Sequence, residues 1–201
     1  MENNVNEVPV RIFDVRGEFN DKLADDFLDW CMSIEEYDLQ FRDEDLFPVC
    51  ININSQGGSC SSLDAMLDGL ELLRCKIITR GFGSVMSCAL HLFLEGDERV
   101  CGSHCRFLWH DISFNMGQST LTDYNEQLKE MTKMQQKYDD VFIERTDVSK
   151  NMLKKYAGKD WVFDREEAIK LGIVNNTSHP SEMLLDFYLM TEEENENEWG
   201  K

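Results

Sequence analysis

Two serines at the start of a predicted helix and a histidine at the end of a predicted strand are candidates for a nucleophile and its general base. Ser84 and Ser87 open an apolar segment that the pattern predicts as a buried helix, where free N–H groups stabilise negative charge on an attacked oxygen. A serine at this place is often only an N-cap. His110, at the end of a predicted strand, is either a general base or a satisfied core side chain. The residues alone leave both interpretations open.

A glycine pair and an acidic residue complete the candidate set. Gly57 and Gly58 directly follow an apolar strand, and glycines there let backbone N–H groups approach a developing alkoxide. An ordinary strand-to-helix turn uses the same pair. Asp160 precedes aromatic and apolar neighbours, where a helix cap or a surface charge is the simpler interpretation.

A metal site is a further hypothesis, because Cys101, His104 and Cys105 bring three soft ligands close together in the sequence. The paired spacing of zinc sites is missing, and strand alternation would turn both cysteines away from His104. A glycine-rich phosphate loop with its lysine is missing as well. We therefore expect neither a metal nor another cofactor.

Short apolar strands alternate with helical segments along the chain, which predicts an α/β fold with strand, crossover helix, strand units. Turns are expected at 55–59 and 81–84, and Ser61 or Ser62 is expected to cap the second helix. The predicted strands are 10–15, 48–54, 76–80 and 106–110, and the predicted helices are 21–32, 62–75 and a segment within 85–94.

The most regular pattern runs from Thr120 to Thr146 and predicts a long amphipathic helix. Leu121, Tyr124 and Leu128 begin an apolar stripe that continues at intervals of three or four residues. Periodicity does not distinguish a stripe that packs on its own core from one that meets another copy of the chain.

Composition limits the function. With 20 Lys and Arg against 39 Asp and Glu, the chain of 201 residues has a net charge of −19, which argues against a nucleic-acid surface or an anionic membrane as partner. The seven cysteines lie mostly inside apolar runs, which favours reduced thiols. There is neither a basic apolar leader nor an apolar stretch of membrane length, so we expect a cytoplasmic protein, in the host cytoplasm if it is virus-encoded.

The domain organisation follows from the same patterns. We expect a flexible segment at 1–10, a single domain at 11–190 and an acidic disordered tail at 191–201, because that tail holds five Glu and almost no large apolar side chains.

In this order, the segments resemble the proteolytic subunit of the Clp protease, a serine peptidase of the crotonase-like fold, and most closely its compact phage-type relatives. Arg11-Ile12-Phe13 and the stretch 17–27 look like the first strand, turn and helix of the family, and residues 53–59, INSQGGS, resemble its INSPGGS. The resemblance covers about 11–176. It implies an α/β fold of repeated ββα units with a protruding handle helix, which corresponds to 120–146.

The position of the nucleophile depends on how the Gly-x-x-x-Ser motif of the family is aligned. Anchoring the motif on Gly81 puts Val85 in the serine position and predicts an inactive protein, whereas anchoring it on Gly83 gives Ser87. We prefer Ser87, because the segment 83–97 then aligns without a gap to the phage-type pattern. Ser84 is the fallback.

The resemblance implies a mechanism. His110 takes the catalytic histidine position, and Asp160 matches the catalytic acid through Lys159-Asp160-Trp161. The implied triad is Ser87, His110 and Asp160, with Gly57, Gly58 and Cys88 as oxyanion-hole donors.

The resemblance also implies partners: a peptide or unfolded protein substrate, a homo-oligomer of stacked rings, and a AAA+ unfoldase that feeds it. Whether an ATPase partner is used stays open. Two other functions are also open. One is an inactive scaffold subunit, which the Val85 alignment and the departures from the family at Gln56 and Asp111 motivate. The other is a crotonase-fold enzyme that acts on acyl-CoA thioesters.

Overall fold

A computed structural model describes residues 9–114, 117 and 120–181 of the chain. Nearly all of the expected flexible segment 1–10 and all of the acidic tail 191–201 lie outside these residues. The strands are β1 (Ile12–Phe19), β2 (Val49–Gly58), β3 (Ile77–Met86), β4 (Glu98–Cys101), β5 (Arg106–Trp109) and β6 (Trp161–Asp164). The helices are α1 (Asp21–Asp38), α2 (Cys60–Leu70), α3 (Cys88–Leu94), α4 (Leu121–Glu144), α5 (Lys150–Tyr156) and α6 (Arg165–Lys170), with a short 3-10 turn at Asp43–Asp45.

The described strands form one sheet in the order β1-β2-β3-β5-β6, and β4 pairs with β3 beside β5. The pairs from β1 to β5 are parallel, and β6 runs antiparallel to β5. Parallel neighbours require crossover connections, which α1, α2 and α3 provide. The predicted α/β class is confirmed.

The core lies between the sheet and its helices. All seven residues of α3 are buried, so this helix has no solvent-facing side. Phe107 on β5 stacks on Phe163 of β6 with ring centroids 5.5 Å apart, and Phe93 of α3 packs against Phe107. These contacts hold β5 against α3 and β6.

Two of the predicted turns are wrong. The segments 55–58 and 81–84 continue β2 and β3, because both strands keep parallel pairing beyond a register shift between Ile53 and Ser55. The cap of α2 is Ser59, whose Oγ accepts a hydrogen bond from the Ser62 N–H at 3.3 Å, rather than Ser61 or Ser62.

Helix α4 confirms the predicted long helix and begins with a capping box between Thr120 and Asp123. Only two of its residues, Tyr138 and Phe142, are buried, and both are in its carboxyl-terminal half. The stripe residues Leu121, Tyr124 and Leu128 are 77%, 46% and 43% exposed. The amino-terminal half of α4 therefore has no buried residue within the described chain.

Arg99 fixes the carboxyl end of α4 to the sheet. This buried side chain on β4 donates from Nη2 to the carbonyl oxygens of Arg145 and Gly172, both at 2.9 Å, and from Nε to Ile173 at 2.8 Å. One guanidinium therefore joins β4 to the residue that follows α4 and to the segment that follows α6.

Among the described residues, none of the helices combines the length and the apolar character needed to cross a membrane.

Candidate active site

Ser87 occupies a strained turn between β3 and α3. With φ 55° and ψ −127°, it is the one non-glycine residue of the described chain with a positive φ. Its N–H donates to the carbonyl oxygen of Leu108 at 3.0 Å, which ties the turn to β5. Its Oγ makes no capping hydrogen bond to α3, so the N-cap interpretation does not account for this side chain. Such strain persists only where the surrounding structure enforces it.

His110 follows β5, the parallel neighbour of β3, and its Nε2 lies 2.8 Å from Ser87 Oγ. Because the carboxyl ends of parallel strands meet at one edge of a sheet, two residues 23 positions apart come into hydrogen-bonding contact. This is the geometry of a hydroxyl and its general base.

Asp160 immediately precedes β6 and is exposed. The antiparallel ladder pairs Trp109 with Trp161, so one further pair would set His110 opposite Asp160. Among the described residues, however, no hydrogen bond joins its carboxylate to His110. The loop before it is held by Asp111, whose Oδ2 accepts from the Gly158 N–H at 2.6 Å. The role of Asp160 stays a prediction.

The two alternatives to Ser87 lie elsewhere. Val85 is fully buried on β3, opposite Phe107 of β5. Ser84 is held at its N–H by Asn54 Oδ1 at 3.1 Å, and within the described part of the chain it has no hydrogen bond to His110. Ser87 is the serine that the structure brings to the histidine.

The glycine pair lies against the Ser87 turn. A Cβ on Gly57, whose φ is +94°, would lie 2.7 Å from Ser87 Cβ and 3.0 Å from the Cys88 nitrogen, so only glycine allows this approach. The Gly57 N–H donates to Ser55 Oγ at 3.0 Å. Gly57 therefore contributes space rather than a free donor in this geometry, and the donor role of Gly58 and Cys88 stays a prediction.

A sequence model of the Clp protease family matches residues 8–180. The chain belongs to the Clp protease family. The resemblance stated from its motifs is thereby confirmed, and membership of the Clp protease family supports a peptidase role.

Its relatives carry names from the same family. The ATP-dependent Clp protease proteolytic subunit 2 of Pseudomonas aeruginosa is 28% identical over 64% of this chain and 64% of that protein. The proteolytic subunit of Paracoccus denitrificans is 28% identical over 80% of this chain and 77% of its own length. Proteolytic subunit 1 of Corynebacterium diphtheriae is 28% identical over 82% and 77%, respectively.

In this Clp-family chain, a cleft opens beside Ser87 and His110. Helix α4 forms one wall with Gln135 and Tyr138. Gln135 Oε1 accepts a hydrogen bond from the Ile112 N–H at 2.6 Å, which fixes the wall to the segment after His110.

Sequence reasoning did not single out several of the residues that line the cleft, among them Cys60, His91 and Tyr138. His91 stacks on Tyr138 with ring centroids 4.8 Å apart, and its buried Nδ1 has no hydrogen-bond partner among the described residues. Burial lowers the pKa of His91 to about 4, so the ring is neutral at pH 7. The sequence signal that could have indicated His91 as a site residue was its position, as a histidine, within a predicted buried helix.

The predicted separation of Cys101 and Cys105 from His104 can be checked directly. Both cysteines are buried, whereas His104 is exposed. Within the described ranges there is no cluster of three His, Cys, Asp or Glu side chains that would hold a metal ion.

Proposed function

We propose that this chain is a serine endopeptidase that hydrolyses peptide bonds with Ser87 as nucleophile and His110 as general base. The observation that carries the proposal is the 2.8 Å contact between Ser87 Oγ and His110 Nε2 at a strained strand-to-helix turn. Membership of the Clp protease family supports the same reaction. An enzyme of acyl-CoA thioesters would have no use for this contact.

The proposed reaction is acyl transfer. His110 Nε2 accepts the Ser87 proton while Oγ attacks the peptide carbonyl, and the N–H groups of Gly58 and Cys88 receive the resulting oxyanion. His110 then returns the proton to the leaving amine, and water releases the acyl group by the same route. Asp160 would accept from His110 Nδ1–H and hold the ring in the required tautomer. This last step requires its carboxylate to move into contact with the ring.

We also propose that the active sites are enclosed in a homo-oligomer of stacked rings that takes unfolded chains or peptides, supplied by a AAA+ unfoldase. Support comes from the exposed stripe on α4 and from relatives named as ATP-dependent proteolytic subunits. In this arrangement the unfoldase, not this chain, would use the ATP.

Fluorophosphonate labelling tests the nucleophile. The probe phosphonylates an activated serine and releases fluoride, so intact mass reports the reaction on the wild type, Ser87→Ala and the matched control Ser84→Ala. We expect labelling of the wild type and Ser84→Ala only, with peptide hydrolysis by Ser87→Ala lowered at least about 10³-fold.

Loss of labelling in Ser84→Ala alone would move the nucleophile to Ser84. If the folded wild type showed neither labelling nor hydrolysis, the inactive scaffold function would replace this proposal.

A further inference from the structure

The cleft contains a pair of thiols beside the proposed nucleophile. Cys60 is the first residue of α2 and Cys88 is the first residue of α3, and both line the cleft with Ser87. The Cys88 thiol donates a hydrogen bond to the carbonyl oxygen of Gly58 at 3.3 Å, and Gly58 precedes Cys60 by two residues. Two thiols from separate helices therefore line the same cleft.

Cys60 differs from the other six cysteines in its accessibility. It is half-buried, whereas the others are buried: Cys31, Cys50, Cys75, Cys88, Cys101 and Cys105. Cys101 and Cys105 are near each other in the sequence, but each of them is only 1% exposed. A reagent that enters the cleft can reach Cys60 and not Cys101 or Cys105.

The surroundings of Cys60 favour its thiolate. The neighbouring Cys88 thiol lowers the pKa of Cys60 to about 7, against the opposing effects of burial and of Asp64. The pKa of Cys88 is raised by Cys60 and by burial. Because the thiolate is the reactive form, Cys60 attacks first and Cys88 stays protonated as the resolving thiol.

We propose that Cys60 is a covalent-modification site in the cleft, which peroxides oxidise and which Cys88 then resolves into a disulfide. The Cys60 thiolate attacks hydrogen peroxide, the O–O bond breaks, and Cys60 becomes a sulfenic acid as hydroxide leaves. The Cys88 thiol then attacks the sulfenic sulfur, and the S–S bond forms as water leaves. Overall two thiols are oxidised by two electrons and one peroxide is reduced to water.

The disulfide would inhibit the peptidase, an inference that rests on the proposed function. Sulfur atoms in a disulfide are about 2.0 Å apart, so the first residues of α2 and α3 must approach each other across the cleft. Cys88 follows Ser87 directly and supplies a proposed oxyanion donor. Its displacement would disturb the donor and narrow the space in which a peptide carbonyl must lie.

The test is treatment of the full chain with hydrogen peroxide, followed by non-reducing peptide mapping. A Cys60–Cys88 disulfide joins the tryptic peptides 43–74 and 81–99. Cys50 lies in the first of these peptides, so Cys50→Ser is the matched control that keeps the cross-link and Cys60→Ser is the variant that loses it. In Cys88→Ser, we expect a sulfenic acid on Cys60 that dimedone traps. Cys101 and Cys105 serve as the unreactive internal reference.

Peptide hydrolysis is measured on the same samples before and after peroxide. We expect activity to fall at least about 10-fold in the wild type and Cys50→Ser, to return with dithiothreitol, and to resist peroxide in Cys60→Ser. No cross-link in the wild type, or the same cross-link in Cys60→Ser, overturns the modification site. A complete cross-link with unchanged hydrolysis overturns the inhibition alone.

The two proposals fail separately. If the reduced wild type neither hydrolyses peptide nor reacts with fluorophosphonate, the proposed function is wrong, while peptide mapping still decides whether the disulfide forms.

Discussion

Ser87 and His110 illustrate how a few backbone constraints create a reactive pair. The Ser87 N–H is held by Leu108 at 3.0 Å, two residues before His110, so the turn that presents the hydroxyl and the strand that presents the ring are one hydrogen-bonded unit. Gly57 permits the close approach of β2 to this unit. The backbone strain at Ser87 is of order 1–3 kcal/mol, which the buried α3 and its neighbours must offset.

Asp160→Asn tests the third member of the proposed triad. An amide cannot orient the imidazolium as a carboxylate does, so we expect kcat to fall about 10³-fold or more with little change in KM. Because Asp160 is exposed and not hydrogen-bonded to His110 in this structure, thermal unfolding should not change. Steady-state kinetics and a thermal melt check both expectations.

Glu166→Gln is the matched control, since it removes an exposed acid on α6 and should keep full activity. A wild-type kcat in Asp160→Asn would remove Asp160 from the mechanism.

The residues of this site differ in how far the sequence could predict them. Ser87 and His110 each follow a strand and the glycines end β2, and a parallel sheet gathers such positions at one edge, so motif order and spacing indicate that they lie together. Cys60 and His91 were missed because their position in the cleft depends on how α2, α3 and α4 pack together. Helix periodicity shows that a face is buried, but not which neighbour covers it.

At the scale of elements, the site depends on α3, which follows the nucleophile and is buried on every side. Its own sequence predicts burial, because five of its seven residues are Ala, Leu or Phe. The strands on either side were harder to delimit. Glycine and serine at 81–84 predict a turn, yet pairing to both neighbours keeps this segment in β3, so tertiary contacts override the local preference.

His91 on α3 is expected to make the packing of α3 against α4 sensitive to acid. Its pKa is about 4 in the folded chain, against about 6.5 when unfolded, owing to burial and to the neighbouring His110. As pH falls below about 6.5, His91 therefore binds a proton in the unfolded state but not in the folded state. The free energy of unfolding decreases as a result, by up to roughly 3 kcal/mol by about pH 4. Stability from this group is fully present above pH 6.5.

His91→Phe should remove this component of the pH dependence. Urea unfolding of the wild type and the variant is compared between pH 7.5 and pH 4, because the difference between them cancels the carboxylates that also titrate there. We expect the variant to gain about 3 kcal/mol relative to the wild type across this range. His104→Phe, at an exposed position, should show no such gain. Parallel pH profiles for wild type and His91→Phe would show that His91 is not buried as a neutral ring.

At the scale of the whole molecule, α4 is the element whose contacts are incomplete. Its 24 residues extend about 36 Å, but only Tyr138 and Phe142 are buried, and the stripe of Leu121, Tyr124 and Leu128 faces away from the described core. The sequence left two alternatives for this stripe, and its exposure favours a second copy as the surface that covers it. The net charge of −19 opposes association, so such contacts must be apolar or screened by salt.

Leu128→Glu places a charge in the centre of this stripe and should shift the protein to smaller assemblies. Burying an unpaired carboxylate between copies costs several kcal/mol, enough to lower association at least about 100-fold, while the exposed helix of each monomer remains folded. Thr122→Glu is the matched control, because it adds the same charge on the polar side of α4. Sedimentation velocity over a range of concentrations, with circular dichroism to confirm folding, measures both. Equal assembly of Leu128→Glu and Thr122→Glu would mean that the stripe is not the surface between copies.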